Sequence, residues 1–148
     1  MFEGLHSYEV VLMMMGIVMF VMLAAVMFLY VHRGHKLTTL LPFFMLPVVM
    51  IGFPAFQKIS FANDVVSVEK NVEKLAENPG DANARRHLAE TVKQLEQRPI
   101  KDPKTNLTLA RAYKTLGRAD RAAERVDSAL KVNPNLSEAI RLRNELHR

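Results

Sequence analysis

The chain has 148 residues, of which 49% are apolar, and a formal net charge of +5. It contains no cysteine, which excludes disulfides, thiolate metal sites, covalent haem attachment and a cysteine nucleophile. Eighteen of the twenty Lys and Arg and thirteen of the fifteen Asp and Glu lie from Lys58 onward. This uneven distribution predicts an apolar part in lipid, followed by one small helical domain in water.

The first predicted element is a membrane span. Residues 1–9 form a short N-terminal segment that contains Glu3 and Glu9, and residues 10–31 carry no charge. At about 1.5 Å per residue a helix of this length reaches about 33 Å, which matches a hydrocarbon core of about 30 Å. The acidic leading residues and the long apolar core argue against a cleaved signal peptide. We therefore predict transmembrane helix 1 at 10–31.

Methionine is frequent in this first span. Met15, Met19 and Met22 share one helical face. Thioether sulfur is a soft ligand for Cu(I), so copper handling through membrane methionines is a remote alternative function. Methionine is also an adaptable packing residue, and we expect it to pack here against lipid or a neighbouring subunit.

A second span follows after a short loop. Residues 32–36 form the loop, and residues 37–56 are again free of charge. We predict transmembrane helix 2 at 37–56, bent or broken by Pro42, Pro47 and Pro54, because an internal proline removes a backbone hydrogen bond. Neither span contains an ionisable residue, which argues against a pump, a channel or a proton path.

The basic residues beside the spans predict the orientation. Arg33 and Lys36 lie in the short loop, and cytoplasmic loops carry an excess of Lys and Arg. Lys58, just after the second span, weakens this bias. We expect a multi-pass protein of the bacterial inner membrane, with the N-terminus and the C-terminal domain in the periplasm.

Residues 57–64 are predicted to be a linker, and residues 65–148 a helical domain. Val65, Val68, Val72 and Leu75 form an apolar row with helical period that ends before Asn78-Pro79-Gly80. Asp81 or Asn83 can cap the next helix, which closes at Arg98-Pro99 because the residue before a proline resists the α region.

The segment from Pro103 onward has the most specific pattern. Its order of large and small residues, from Leu109 and Ala110 to Ala129 and the final Pro134, resembles a tetratricopeptide (TPR) repeat, a 34-residue helix pair with large and small residues at fixed positions and a final proline. The best repeat spans 103–136. Asn106 takes a position that usually holds a large side chain, so looser packing is expected there. Small alanines would let the two helices approach closely, and Tyr113 and Val126 would fill the space between them. The repeat-core positions are Leu109, Ala110, Tyr113, Ala122, Val126, Ala129 and Pro134.

One repeat cannot bury its own apolar face, so partial repeats are expected on both sides of it. Ala82 to Leu95 looks like the first helix of a degenerate repeat, and Leu136 to Leu146 looks like a final helix. The fold class expected is therefore all-α: a two-helix transmembrane hairpin followed by a small TPR-like α-solenoid of about five helices.

The resemblance also implies a partner-binding groove lined by first-helix residues. These would form a mainly basic surface suited to other protein subunits or a client peptide, with an acidic segment as one expected ligand. A solvated face of helix-forming Arg and Lys would show the same pattern. Nucleic acid is not expected as a partner, because aromatic platforms for bases are lacking. The implied groove residues are Arg86, Glu90, Lys93, Lys104, Leu107, Arg111 and Lys114.

No catalytic or cofactor site is expected. His6, His32 and His35 lie at the membrane edges and cannot face one another across a haem within one short chain. His87 and His147 have no nucleophile–base arrangement near them in the sequence. We expect no enzyme activity, no cofactor and no metal.

The functional expectation is a membrane-anchored TPR scaffold, acting as an accessory subunit or assembly factor of a larger membrane complex, with a respiratory complex as one possibility. Two N-terminal spans followed by an outward TPR module also resemble the chaperone subunits of bacterial c-type cytochrome biogenesis. That alternative implies that the module binds apocytochrome peptides in the periplasm.

Overall fold

The structure is a computed structural model that describes residues 6–33 and 41–147. Throughout these ranges the regular elements are helices and no strand occurs, so the all-α prediction is confirmed. A short 3-10 helix, Leu41–Phe44, precedes the second long helix. The α-helices are α1 (Ser7–His32), α2 (Met45–Glu77), α3 (Ala82–Glu96), α4 (Pro103–Thr115), α5 (Ala119–Val132) and α6 (Ser137–Leu146).

The chain divides into two compact units, with the boundary between Ile59 and Ser60, inside α2. We call the described residues up to Ile59 the N-terminal unit and the described residues from Ser60 the C-terminal unit. By length and composition, α1 and the segment Pro42–Glu77 are each apolar enough to cross a membrane. Most of the large apolar side chains of α1 are exposed, as lipid-facing residues would be.

Within the N-terminal unit, α1 and α2 approach each other at Gly16. A Cβ atom added there would lie 2.9 Å from Cγ1 of Ile51, 3.0 Å from Cβ of Met50 and 3.3 Å from the backbone oxygen of Pro47. Those distances leave no room for a side chain, so Gly16 is what permits this contact. Small residues commonly allow close helix packing where lipid replaces water.

The start of α1 holds a buried carboxylate. The Glu9 side chain is almost fully buried and accepts a 2.8 Å hydrogen bond from the backbone N–H of His6. This contact satisfies one of the N–H groups that a helix N-terminus leaves without a partner. The helix therefore begins at Ser7, slightly before the predicted span at 10–31.

The second span differs from its prediction in two ways. Pro42 lies in the 3-10 helix and Pro47 in the first turn of α2, where backbone N–H groups lack helical partners, so only Pro54 interrupts the helix interior. The predicted linker 57–64 is helical, because α2 meets no further proline or glycine before its end at Glu77. Most of the predicted loop 32–36, and the start of the predicted helix at 37–56, lie outside the described residues.

Side-chain caps fix the helix starts in the C-terminal unit. The Asp81 carboxylate accepts hydrogen bonds from the backbone N–H groups of Asn83 and Ala84, at 3.0 and 2.9 Å. At α4 the Asp102 carboxylate accepts from the N–H of Thr105 at 2.7 Å, and Pro103 fills the first helical position. Both are the capping arrangements expected of aspartate, since its short side chain reaches these donors.

Two apolar clusters form the core of the C-terminal unit. The first joins buried residues of α2, such as Val68 and Leu75, to Leu88 of α3 and Leu109 of α4. The second joins α4 and α5 to Ala139 and Leu142 of α6. Helix α4 contributes to both clusters, so it is the central helix of this unit.

Candidate partner-binding surface

The predicted repeat core is buried in the structure, with one exception. Helices α4 and α5 form the most extensive helix–helix contact in the described part of the C-terminal unit. The alanines between them have no exposed surface, which permits the close approach that small residues were predicted to allow. Pro134 is exposed, beyond the end of α5. The buried members are Leu109, Ala110, Tyr113, Ala122, Val126 and Ala129.

Tyr113 and Val126 are each buried with residues of the other helix of the α4–α5 pair, but in different clusters. Tyr113 belongs to the cluster that contains Leu88 and Ala122, whereas Val126 belongs to the cluster that contains Ala139. The reason is that the α4–α5 pair has neighbours on both sides. Residues on different faces of the pair are therefore buried by different helices.

Asn106 is buried and held by hydrogen bonds. Its side-chain Nδ2 donates to the backbone oxygen of Asp102 at 3.1 Å, and its Oδ1 accepts from Nη1 of Arg125 at 3.5 Å. Because buried amides are costly when unpaired, these contacts explain how a polar residue occupies the position where a large side chain was expected. Polar contacts thus take the place of the looser packing that was predicted.

The predicted groove residues of α4 face helix α6 of the same chain. Leu107 is buried against Ala139 and Leu142, so it belongs to the core and not to a groove wall. Arg111 forms a 2.7 Å ion pair with Glu138. Lys114 likewise pairs with Glu145. Lys104 remains exposed near the start of α4.

The predicted groove residues of α3 lie elsewhere. Arg86, Glu90 and Lys93 line a depression of about 290 Å³ together with residues of α4 and of the turn that follows it. Helix α3 was predicted to be the first helix of a repeat, and its buried residues belong to one cluster with residues of α2 and α4. The structure therefore separates the residues of the predicted groove into two surfaces.

A hydrogen-bonded group forms one wall of the α3 depression. The Glu96 carboxylate accepts from Nη2 of Arg125 at 2.7 Å and from the hydroxyl of Tyr113. Burial alone would raise the pKa of Glu96, but these two hydrogen bonds and the charge of Arg125 outweigh it and lower the pKa. Burial and the bond to Glu96 raise the pKa of Tyr113 to about 12. The Glu96 carboxylate is therefore ionised at neutral pH.

Comparison with known protein families, with curated proteins and with solved structures found no match. The C-terminal unit is therefore characterised by its own geometry: paired antiparallel helices with charged depressions between them.

Acidic residues of α2 line a further depression that the sequence analysis did not anticipate. Glu69 and Glu73 lie there with Thr108 and Arg111 of α4. The hydroxyl of Thr108 donates to Oε1 of Glu69 at 3.1 Å. A possible signal was the spacing of Glu69 and Glu73, one helical turn apart and on the side of α2 away from Val68 and Leu75. Arg111 thus lies between acidic groups on α2 and α6, which neutralises the surface that was predicted to be basic.

Within the described residues, His, Asp and Glu side chains form no group of three or more that could hold a metal ion. The arrangement of the C-terminal unit favours binding through ion pairs and apolar contact. Its depressions are shallow and lined by long charged side chains, which suits a protein surface or a peptide better than a small substrate.

Proposed function

We propose that this chain is a membrane-anchored scaffold whose C-terminal unit, a TPR-like array, holds other protein subunits of a larger membrane complex, such as a respiratory complex. The observation that carries this proposal is the opposite placement of apolar side chains in the two units. They point outward in the N-terminal unit and inward in the C-terminal unit. One unit is thus suited to lipid and the other to water.

The surface of α1 supports the membrane anchor. Large apolar side chains such as Phe28 and Met22 are 73% and 66% exposed, and exposed apolar residues occur along the helix from Tyr8 to Val31. Soluble monomeric proteins rarely expose an apolar surface of this extent, because it costs free energy in water. A bilayer would cover it. The basic residues near Arg33 favour a cytoplasmic loop, which would place the C-terminal unit in the periplasm of a bacterium.

The C-terminal unit supports the scaffold role. Paired helices with charged depressions present a broad surface on a rigid core, which is how helical repeat proteins bind partners. Helix α4 packs in both apolar clusters, so the unit buries its own apolar residues. Its exposed faces are therefore available for contact with partners. We infer binding and no catalysis.

Co-purification from the native host in mild detergent tests the scaffold proposal. We expect the tagged full-length chain to retain partner subunits in a constant ratio. Leu109→Ala, which opens a cavity beneath the partner surface, should reduce that ratio while the chain stays in the membrane fraction. Val132→Ala, at a position that is 59% exposed, is the matched control and should retain the partners. Absence of any stoichiometric partner, or recovery of the chain without membranes, would overturn the proposal.

Single-cysteine labelling tests the orientation, because the chain has no cysteine of its own. Ser7, His32 and Ser137 are exposed positions on either side of the proposed spans. With a membrane-impermeant maleimide on spheroplasts, we expect Ser7→Cys and Ser137→Cys to be modified. His32→Cys should react only after the membrane is permeabilised. The reverse pattern would place the C-terminal unit in the cytoplasm.

A further inference from the structure

Three cationic side chains converge on the α3 depression. Arg86 and Lys93 come from α3, and Arg118 comes from the turn after α4. None of these three side chains forms an ion pair or a hydrogen bond with the residues that the structure describes. By contrast, Arg111 and Lys114 on α4 are both paired with glutamates of α6. The cations that line the α3 depression are thus not neutralised in the way that Arg111 and Lys114 are.

The turn between α4 and α5 fixes the position of Arg118. The backbone N–H of Arg118 donates to the oxygen of Tyr113 at 2.8 Å, and that of Gly117 donates to the oxygen of Lys114 at 3.0 Å. These two bonds define a Schellman motif, which requires a left-handed residue after the helix. Gly117 supplies it with φ of 76°. Arg118 is consequently anchored beside Tyr113 and does not depend on a flexible loop for its placement.

The floor of the depression is partly apolar, and its anionic wall is already engaged. Val92, Tyr113 and Leu116 contribute to the lining. Glu96 is bound by Tyr113 and Arg125, so it is not available to neutralise the three cations. Glu90 is the other carboxylate of the lining. The lining thus has three cations without an ion pair and one carboxylate, Glu90, that is not already bound to Arg125 and Tyr113. This leaves an excess of positive charge around an apolar centre.

The spacing of the cations indicates the shape of the ligand. Arg86 and Lys93 are two turns apart on one face of α3, about 10.5 Å at 1.5 Å per residue. A ligand with acidic groups spaced at about that distance can pair with each cation separately. A peptide in the polyproline II conformation has three residues per turn and rises about 3.1 Å per residue, so it places side chains three residues apart on one face, about 9.3 Å from each other.

We propose, on the basis of the scaffold function proposed above, that this depression binds an acidic peptide segment of a partner protein. Carboxylates about three residues apart pair with Arg86 and Lys93, and Arg118 takes a further carboxylate. An apolar side chain between them rests on Tyr113 and Leu116. This assignment moves the partner site from α4, where α6 neutralises the basic residues, to α3 and the α4–α5 turn.

Fluorescence anisotropy on the full chain in detergent tests this assignment. The probe is a fluorescein-labelled nonapeptide with glutamate at every third position and leucine and serine between. We expect saturable binding that a matched peptide with glutamine in place of glutamate does not show. The combined change Arg86→Glu, Lys93→Glu and Arg118→Glu should weaken binding by about tenfold or more, since opposed charges are replaced by like charges. All three side chains are exposed, so the fold should survive.

A charge-matched variant isolates the site from net charge. Lys70→Glu, Lys131→Glu and Arg143→Glu change the same total charge at exposed positions outside the depression. We expect this control to bind within about twofold of the unchanged chain. If the first variant does not fold, as judged by circular dichroism, the pair Arg86→Gln and Lys93→Gln takes its place.

Several results would overturn the assignment: no binding by the unchanged chain, equal loss in both triple variants, or equal binding of the glutamine peptide. Loss of binding to phosphatidylglycerol vesicles in the first variant alone, without peptide binding by the unchanged chain, would assign the cations to lipid instead. Failure here is distinct from failure of the scaffold proposal. If partner subunits still co-purify with the first triple variant in full ratio, only the assignment of this site falls.

Discussion

The two units of this chain place similar apolar residues in opposite ways. In the N-terminal unit, apolar side chains face outward and the two helices meet through the small surface of Gly16. In the C-terminal unit, residues such as Leu88 and Leu109 have no exposed surface, and charged residues cover the outside. With the N-terminal unit in lipid, as proposed above, burial from water drives only the second arrangement, because lipid is as apolar as a leucine side chain. The same hydrophobic substitution should therefore affect stability differently in the two units.

The largest expected effect comes from making the same truncation in both units. Leu109→Ala should destabilise the C-terminal unit by about 2–5 kcal/mol, because it removes buried surface and leaves a cavity. Leu29→Ala, at a position that is 61% exposed on α1, should change stability by about 0.5 kcal/mol or less. Urea unfolding in mild detergent, followed by circular dichroism, measures both. Similar losses for the two variants would contradict the proposed difference in surroundings.

The next effect concerns a substitution that enlarges a side chain. In the N-terminal unit a small residue is essential at the contact between α1 and α2, and a larger one should destabilise it. Gly16→Val should cost about 1–3 kcal/mol, since its side chain would overlap Met50 and Ile51. Gly52→Val is the matched control, because a Cβ atom at Gly52 meets no atom within 4 Å. Unfolding with increasing dodecyl sulfate in mixed micelles measures the difference. Equal stability of the two variants would show that the α1–α2 contact is not tight at Gly16.

The same contrast explains what the sequence could and could not predict. Apolar length predicted the long helices, and the resemblance to a repeat predicted the buried positions of α4 and α5, because these features depend on local sequence. The groove could not be predicted, because it depends on which helices become neighbours. Glu138 and Glu145 neutralise Arg111 and Lys114 only because α6 packs beside α4. Arg86 likewise lines a different depression from Arg111 because of how α3 packs on its neighbours.

The helical segment at 57–64 shows a second feature that the sequence did not predict. Its polar residues, among them Gln57 and Asp64, indicated a change of surroundings, and the boundary between the two units does fall there. The change of surroundings does not end the helix, because no proline or glycine occurs between Pro54 and the end of α2. The predicted linker therefore contains the boundary between the two units, although the helix continues through it.

A smaller effect is expected at the turn that positions Arg118. Gly117→Ala should cost about 1 kcal/mol, because an alanine with φ of 76° is strained whereas glycine is not. Gly80→Ala is the control within the same unit, at a glycine whose φ is not positive. Urea unfolding midpoints of the two variants measure the cost. An unchanged midpoint for Gly117→Ala would show that the Schellman motif does not constrain this turn.

The smallest effect concerns Tyr113 at alkaline pH. Burial and the hydrogen bond to Glu96 raise the pKa of Tyr113 from 10.0 to about 12, so the folded state favours the protonated hydroxyl. The stability that this group contributes is complete below the unfolded pKa of 10.0 and is lost as the pH rises through the folded value. Between pH 9 and pH 10.5 the unchanged chain should lose less than about 1 kcal/mol more than Tyr113→Phe does. Tyr8 and Tyr30 are present in both proteins, so their contributions cancel in the difference between urea midpoints. Parallel pH profiles would contradict the buried hydrogen bond and, with it, the claim that Glu96 is already engaged at the wall of the α3 depression.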